Sequence, residues 1–245
     1  MIVPSMTIQE IHKELFEDVK NLRNQLDNCR KDFKKVVLKG SRYPLTRSYD
    51  YKTREKKNLF VVTLTAIKRS NWKKPILSIY SIYARPEGNY AVPLTLDMNI
   101  ASIYPPHFFK RYRERIVKDE SISSEDIIRL YFKNDWGFLG AVVNEDFESV
   151  YHCFETGDKD ERISFVAVTS QGYCFGEKQG DVNIIKTIIS EEMLFDNQKP
   201  LFESMKNAFN EYNKERYGEL YNSKTPAPNF WLNTSGDVAR PKKLA

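Results

Sequence analysis

The sequence predicts an α+β protein with a long N-terminal helix, antiparallel sheet, two central helices and C-terminal helices. Three observations carry this expectation. Residues 8–37 hold an apolar seam, Leu15, Val19, Leu22, Leu26, Cys29, Phe33 and Val36, whose alternating spacings of four and three fall on one side of a helix. Residues 59–96 hold three β-branched or alternating runs joined by short turns, as in an antiparallel meander. A second block of such runs over 138–189 follows two amphipathic segments, so helices and strands are grouped rather than alternating as βαβ units.

Each element has a local cause. Thr7 and Glu10 form a capping box, each side chain satisfying a backbone donor that the first helical turn leaves orphaned. The seam needs a cover, either the chain's own sheet or a second copy through helix 8–37. Internal cover is favoured, because Cys29 and Phe33 suit a dimeric zipper poorly. Gly40 closes the helix. Residues 41–58 read as a long basic connector, and its Tyr43, Tyr49 and Tyr51 among Arg and Lys could stack on bases or simply lie on a surface loop. The meander strands are 59–67, 76–84 and 90–96, and Pro93 makes the third either an edge or the carrier of a bulge.

Pro106 suits the first turn of a helix, where its missing N–H costs nothing. Ser123 caps the next, with Asp126 at the third position and Ile127, Ile128, Leu130, Tyr131 and Phe132 turned inward. The second strand block reads as 138–143, 149–154, 163–169, 173–176 and 182–189, and its union with the first in one curved sheet is left open. Ser190 starts a short helix through Leu194. Pro200 opens a final one with Leu201, Met205, Ala208 and Tyr212 on one face, Phe202 and Phe209 beside them, and Gly218 as its stop. The expected organisation is a single α+β domain over 1–221, with a subdivision near 100 as the alternative. A loosely held tail over 222–245 would be anchored by Phe230, Trp231 and Leu232.

Composition excludes several classes. With 41% hydrophobic and 29% charged residues the chain has the balance of a folded soluble protein, not a disordered one. No apolar run approaches the roughly eighteen residues of a membrane span, so no membrane partner is expected. Residues 1–7 lack the basic flank and apolar block of a secretory signal, and a cytoplasmic location follows by default. Cys29, Cys153 and Cys174, odd in number and without C-x-x-C spacing, read as buried thiols.

The net charge of +5 is unevenly spread. Residues 38–74 carry eleven Lys and Arg against two acids, and residues 104–118 carry five against one, so the rest of the chain is acidic. Such concentration points to an anionic partner such as nucleic acid, beside the plainer reading of solvated charge. Candidate anion-binding residues are Arg54, Lys56, Lys57, Arg69 and Lys73 in the first stretch, and Lys110 and Arg113 in the second.

Chemistry is sparse. His12, His107 and His152 are the only histidines. His152 and Cys153 are strand neighbours pointing to opposite faces, so no metal site is expected, and no Gly-rich phosphate loop or nucleophile elbow implies a cofactor. On a helix, His107, Arg111 and Arg115 stand at i, i+4 and i+8 on one face. Cleavage of RNA by its 2′-OH needs a base, an acid and cations for the growing phosphate charge, and these are those residue types. The order His107-x3-Arg111-x3-Arg115, a second helix from Ser124, and a last strand ending in Lys186-Thr187-Ile188-Ile189-Ser190 resembles the small RelE-like and barnase-like toxin domains and their phage relatives. The resemblance spans about residues 104–190 and leaves the N-terminal helix and meander without a counterpart. It implies metal-independent ribonuclease activity, with His107 as acid/base, Arg111 and Arg115 on phosphate, and Lys186 and Thr187 near the same face. The leading expectation remains a non-catalytic binding protein for an anionic partner, such as a phage or mobile-element accessory factor, with the ribonuclease as the alternative.

Overall fold

The computed structural model describes residues 2–94, 101–142, 163–179, 182–218 and 242–243. The architecture is α+β, and the chain divides into two compact units, Met1–Ser102 with Pro228–Ala245, and Ile103–Ala227.

In the first unit the apolar seam does form a helix, in two parts: α1 (Ile8–Asp18) and α2 (Arg23–Lys39), joined by a 3₁₀ turn over Val19–Leu22. The Thr7–Glu10 capping box is formed. Leu15, Val19, Leu22, Leu26, Cys29 and Phe33 are buried, with Val37 replacing Val36 at the end of the stripe. The cover is internal, since α2 packs on strands β1 (Leu45–Lys52) and β2 (Leu59–Ala66). The seam is therefore not a surface on which a second copy could zip.

β1 corrects the reading of 41–58 as a connector. It pairs antiparallel with β2 along its full length, Leu45 opposite Ala66 and Lys52 opposite Leu59. The stretch looks like loop because one of its faces is hydroxylic: Thr46 and Ser48 bond Thr65 and Thr63 across the strands, each at 2.9 Å. Its other face turns Tyr49 inward, where the phenol donates to Asp32 of α2. β3 (Ile76–Arg85) and β4 (Gly88–Leu94) complete the meander. The sheet order is β10-β1-β2-β3-β4, where β10 is Lys242–Lys243 in parallel pairing with Tyr49 and Asp50. Pro93 does lie on an edge strand, where its missing donor is tolerated.

The second unit is built on a separate sheet, ordered β5-β9-β8-β7-β6, with β5 Ala101–Ile103, β6 Phe138–Val142, β7 Ile163–Thr169, β8 Gly172–Gln179 and β9 Val182–Ile189. The two strand blocks thus form two sheets rather than one. The strand expected at 149–154, with His152 and Cys153, and the anchor at 230–232 lie outside the described residues. Helix α3 (Pro106–Tyr112) packs along β9, and α4 (Ser124–Lys133) packs on α3. Their contact is aromatic: Tyr131 lies 5.3 Å from Tyr104, 5.0 Å from Phe108 and 5.1 Å from Tyr112, centroid to centroid.

The final helix, α5 (Lys199–Tyr217), ends at Gly218 as its positive φ allows, but buries a different stripe from the one expected. Phe202, Met205 and Phe209 face Val166, Val168, Tyr173 and Phe175 of the sheet, while Ala208 and Tyr212 are exposed. The two phenylalanines bury more apolar area than Ala208 and Tyr212 would, and they set the rotation. The short helix expected before it is a single 3₁₀ turn, Glu191–Met193, and Ser190 makes no side-chain cap bond.

Candidate anion-binding surfaces

Three basic clusters correspond to the charged stretches. On α3, Pro106 occupies the first turn and Phe108, Phe109 and Tyr112 are buried, leaving His107 and Arg111 on the outer side. Arg111 Nε donates to His107 Nε2 at 3.4 Å, and its Nη1 donates to Glu114 at 2.8 Å. Past Tyr112 the helix widens into a π turn over Arg113–Val117 that ends at a left-handed Lys118. The widening alters the simple i, i+4, i+8 relation: Arg115 reaches across to β9, donating from Nη1 to Thr187 Oγ1 and Ile188 O, each at 3.2 Å.

Lys110, Arg113 and Lys186 have partners too. Arg113 donates to Ile122 O at 2.7 Å and stands 3.7 Å from Glu120, and Lys110 stands 3.9 Å from Glu114. Lys186 is the extra residue of a β-bulge, because Phe175 pairs with Thr187 but Gly176 pairs with Ile185. Its ammonium is taken by Glu177. The structure therefore brings His107, Arg111, Arg115 and Thr187 to one edge, while Lys186 is bound to the neighbouring strand. Partial burial, then Arg111, Arg115 and Lys110, hold the His107 imidazolium pKa below the usual histidine value, so the ring is neutral at pH 7. The described cleft of this unit, about 340 Å³, opens elsewhere, at the start of α5, between Tyr173, Glu191, Leu194, Lys199, Glu203 and Lys206.

The second cluster is the turn between β1 and β2. Arg54 and Lys57 are exposed, but Lys56 is held by α1, bonding Glu14 at 2.8 Å and Glu17 at 3.2 Å. Buried Asp18 fixes the same turn by accepting from Thr53 Oγ1 at 2.7 Å and Asn58 Nδ2 at 2.8 Å. The turn is an anchored acid–base junction, and Lys56 is not an open anion contact. Two of the tyrosines expected to stack are likewise committed, Tyr49 to Asp32 and Tyr43 to the Val37 carbonyl at 2.6 Å.

The third cluster sits at the end of α2. A 3₁₀ turn, Arg69–Trp72, follows β2 and is closed by Asn71 Oδ1, which accepts from Ile67 N and Lys68 N. Trp72 is part-exposed, with Lys34 Nζ of α2 at 4.2 Å and Lys73 Nζ at 5.7 Å from its ring centroid. Arg69 Nη2 donates to the Leu38 carbonyl at 3.1 Å, capping the negative end of α2. Lys35, Lys39, Lys68 and Lys74 are exposed around it. Among the described residues no carboxylate is within ion-pair distance of Lys34, Lys35, Lys39, Arg69, Lys73 or Lys74. Sequence reasoning reached Arg69 and Lys73 but missed Trp72 and Lys34, which lie 38 positions apart and show no joint signal in the chain.

Among the described residues no group of three His, Cys, Asp or Glu is placed to hold a metal, and no helix is long and apolar enough to cross a membrane. Comparison with protein-family models, with curated proteins and with solved structures finds no match.

Proposed function

We propose that the protein is a non-catalytic binding protein for an anionic partner, and that this partner is a nucleic acid. The cluster around Trp72 supports this most directly, because its cations have no carboxylate within ion-pair distance among the described residues, whereas Lys56, Lys110, Arg111 and Arg113 of the other two clusters each have one. Uncompensated positive charge draws phosphate by releasing counterions, and the affinity then falls steeply with salt. The test is fluorescence anisotropy of labelled oligonucleotides between about 50 and 200 mM salt. Binding that weakens with salt, and weakens further in a Lys34→Gln/Lys73→Gln variant, supports the reading. Absence of binding at low salt overturns it.

A metal-independent ribonuclease is the second reading, favoured by a neutral imidazole beside Arg111 and Arg115. Against it, the His107 Nε2 lone pair already accepts from Arg111, and Arg115 is spent on Thr187 and Ile188. Cleavage of RNA in EDTA that is lost in His107→Ala with the fold intact would establish the enzyme. No cleavage by the unaltered protein removes it.

A further inference from the structure

We propose that Trp72 is a stacking platform and that the partner is bound as a single strand. This rests on the nucleic-acid reading and names the form of the ligand. Trp72 is a part-exposed ring held on a fixed 3₁₀ turn, and a residue in such a turn loses little freedom when a base packs on it. The ring already attracts cations, with Lys34 at 4.2 Å and Lys73 at 5.7 Å. An unpaired base offers a larger flat surface to the same ring, and the two ammonium groups, on flexible stems, can then move to the phosphates flanking that base. In a duplex the base faces are already stacked on one another, so the ring would gain nothing and only the lysines would act. Single-strand sites combine these two parts, a basic surface that follows the backbone and an aromatic face for the base.

The arrangement also explains why the turn is closed so firmly. Asn71 accepts two backbone donors, at 3.2 and 3.0 Å, and Arg69 ties the turn to the end of α2, so Trp72 is held by its turn as well as by partial burial of its ring.

The experiment titrates the full chain with a labelled twelve-residue oligothymidylate and with a duplex of the same length, comparing Trp72→Leu, Trp72→Phe and Lys34→Gln, with circular dichroism confirming the fold. The expected result is tighter binding of the single strand, a loss of about tenfold in Trp72→Leu that removes the preference, and partial recovery in Trp72→Phe. Lys34→Gln should weaken both ligands and lower the salt slope by about 0.7 for the single strand. Equal affinity for both ligands, unchanged by Trp72→Leu, overturns the single-strand inference while leaving the nucleic-acid reading intact. Binding of neither ligand at low salt, with or without binding to acidic protein or vesicles, overturns both.

Discussion

Arg111 Nε donates to His107 Nε2 across 3.4 Å, so the imidazole of the outer ridge is an acceptor already in use. A guanidinium in that position disfavours protonation, and partial burial acts in the same direction. His107 should therefore titrate below 6.5 in an NMR pH series. Because Glu114 opposes the shift, Glu114→Gln should lower the value further, and a rise in that variant would contradict the geometry.

Arg115 is a strut between the π turn and β9. Arg115→Ala removes two hydrogen bonds and should cost about 1–2 kcal/mol in urea unfolding, while Thr187→Val, which removes one, should cost about 0.5–1 kcal/mol. A double-mutant cycle should return a coupling near the smaller figure. Full additivity would mean that the contact contributes nothing.

The junction of α1 with the β1–β2 turn should make the first unit acid-sensitive. Partial burial alone would raise the Glu14 carboxyl, but hydrogen bonds led by Lys56 bring it from 4.5 down to about 2. A depressed carboxylate stabilises the fold above its unfolded value and loses that contribution as pH falls from about 4.5 to about 2. With allowance for solvent screening the loss is about 1–2 kcal/mol. Glu14→Gln should be less stable than the unaltered protein at pH 7 and equal to it near pH 2, measured by thermal unfolding.

Asp135 has the opposite sign. Desolvation raises its carboxyl from 3.8 to about 6, although the backbone N–H of Gly137, at 2.9 Å, works against the rise. Tyr104, Tyr112, Tyr131 and Cys174 lie near it and offer no compensating charge. A raised carboxyl binds its proton more tightly in the folded state, so stability is highest at low pH and declines as pH rises from about 3.8 to about 6. Asp135→Asn keeps an acceptor for Gly137 and removes the charge, and should raise stability at pH 8 by about 1–2 kcal/mol with little effect at pH 4. Destabilisation at pH 8 would contradict the prediction.

Much of the scaffold is legible in short stretches of sequence. The Thr7–Glu10 box, the seam of α1 and α2, Pro106 and Ser123 at helix starts, Pro93 on an edge and Gly218 at a helix end each act within a few residues of chain, through periodicity, missing donors or capping. β1 is hard to read in the sequence because Thr46 and Ser48 find hydroxyl partners on β2 and so break the apolar alternation that marks a strand. The stripe of α5 is ambiguous in the sequence because Leu201, Met205, Ala208 and Tyr212 keep a helical spacing as acceptable as that of Phe202, Met205 and Phe209, and only the opposing sheet selects between them.

By itself, the sequence determined that the chain is α+β, where its helices begin, and that its positive charge is concentrated in two stretches. Only the tertiary structure decided which of the chain's cations meet a carboxylate and which do not. Lys56 meets Glu14, Arg115 meets Thr187 and Lys34 meets Trp72 across 42, 72 and 38 positions of chain. The reason is physical: a formal charge belongs to a residue, but its neutralisation depends on what folding brings within a few ångströms of it.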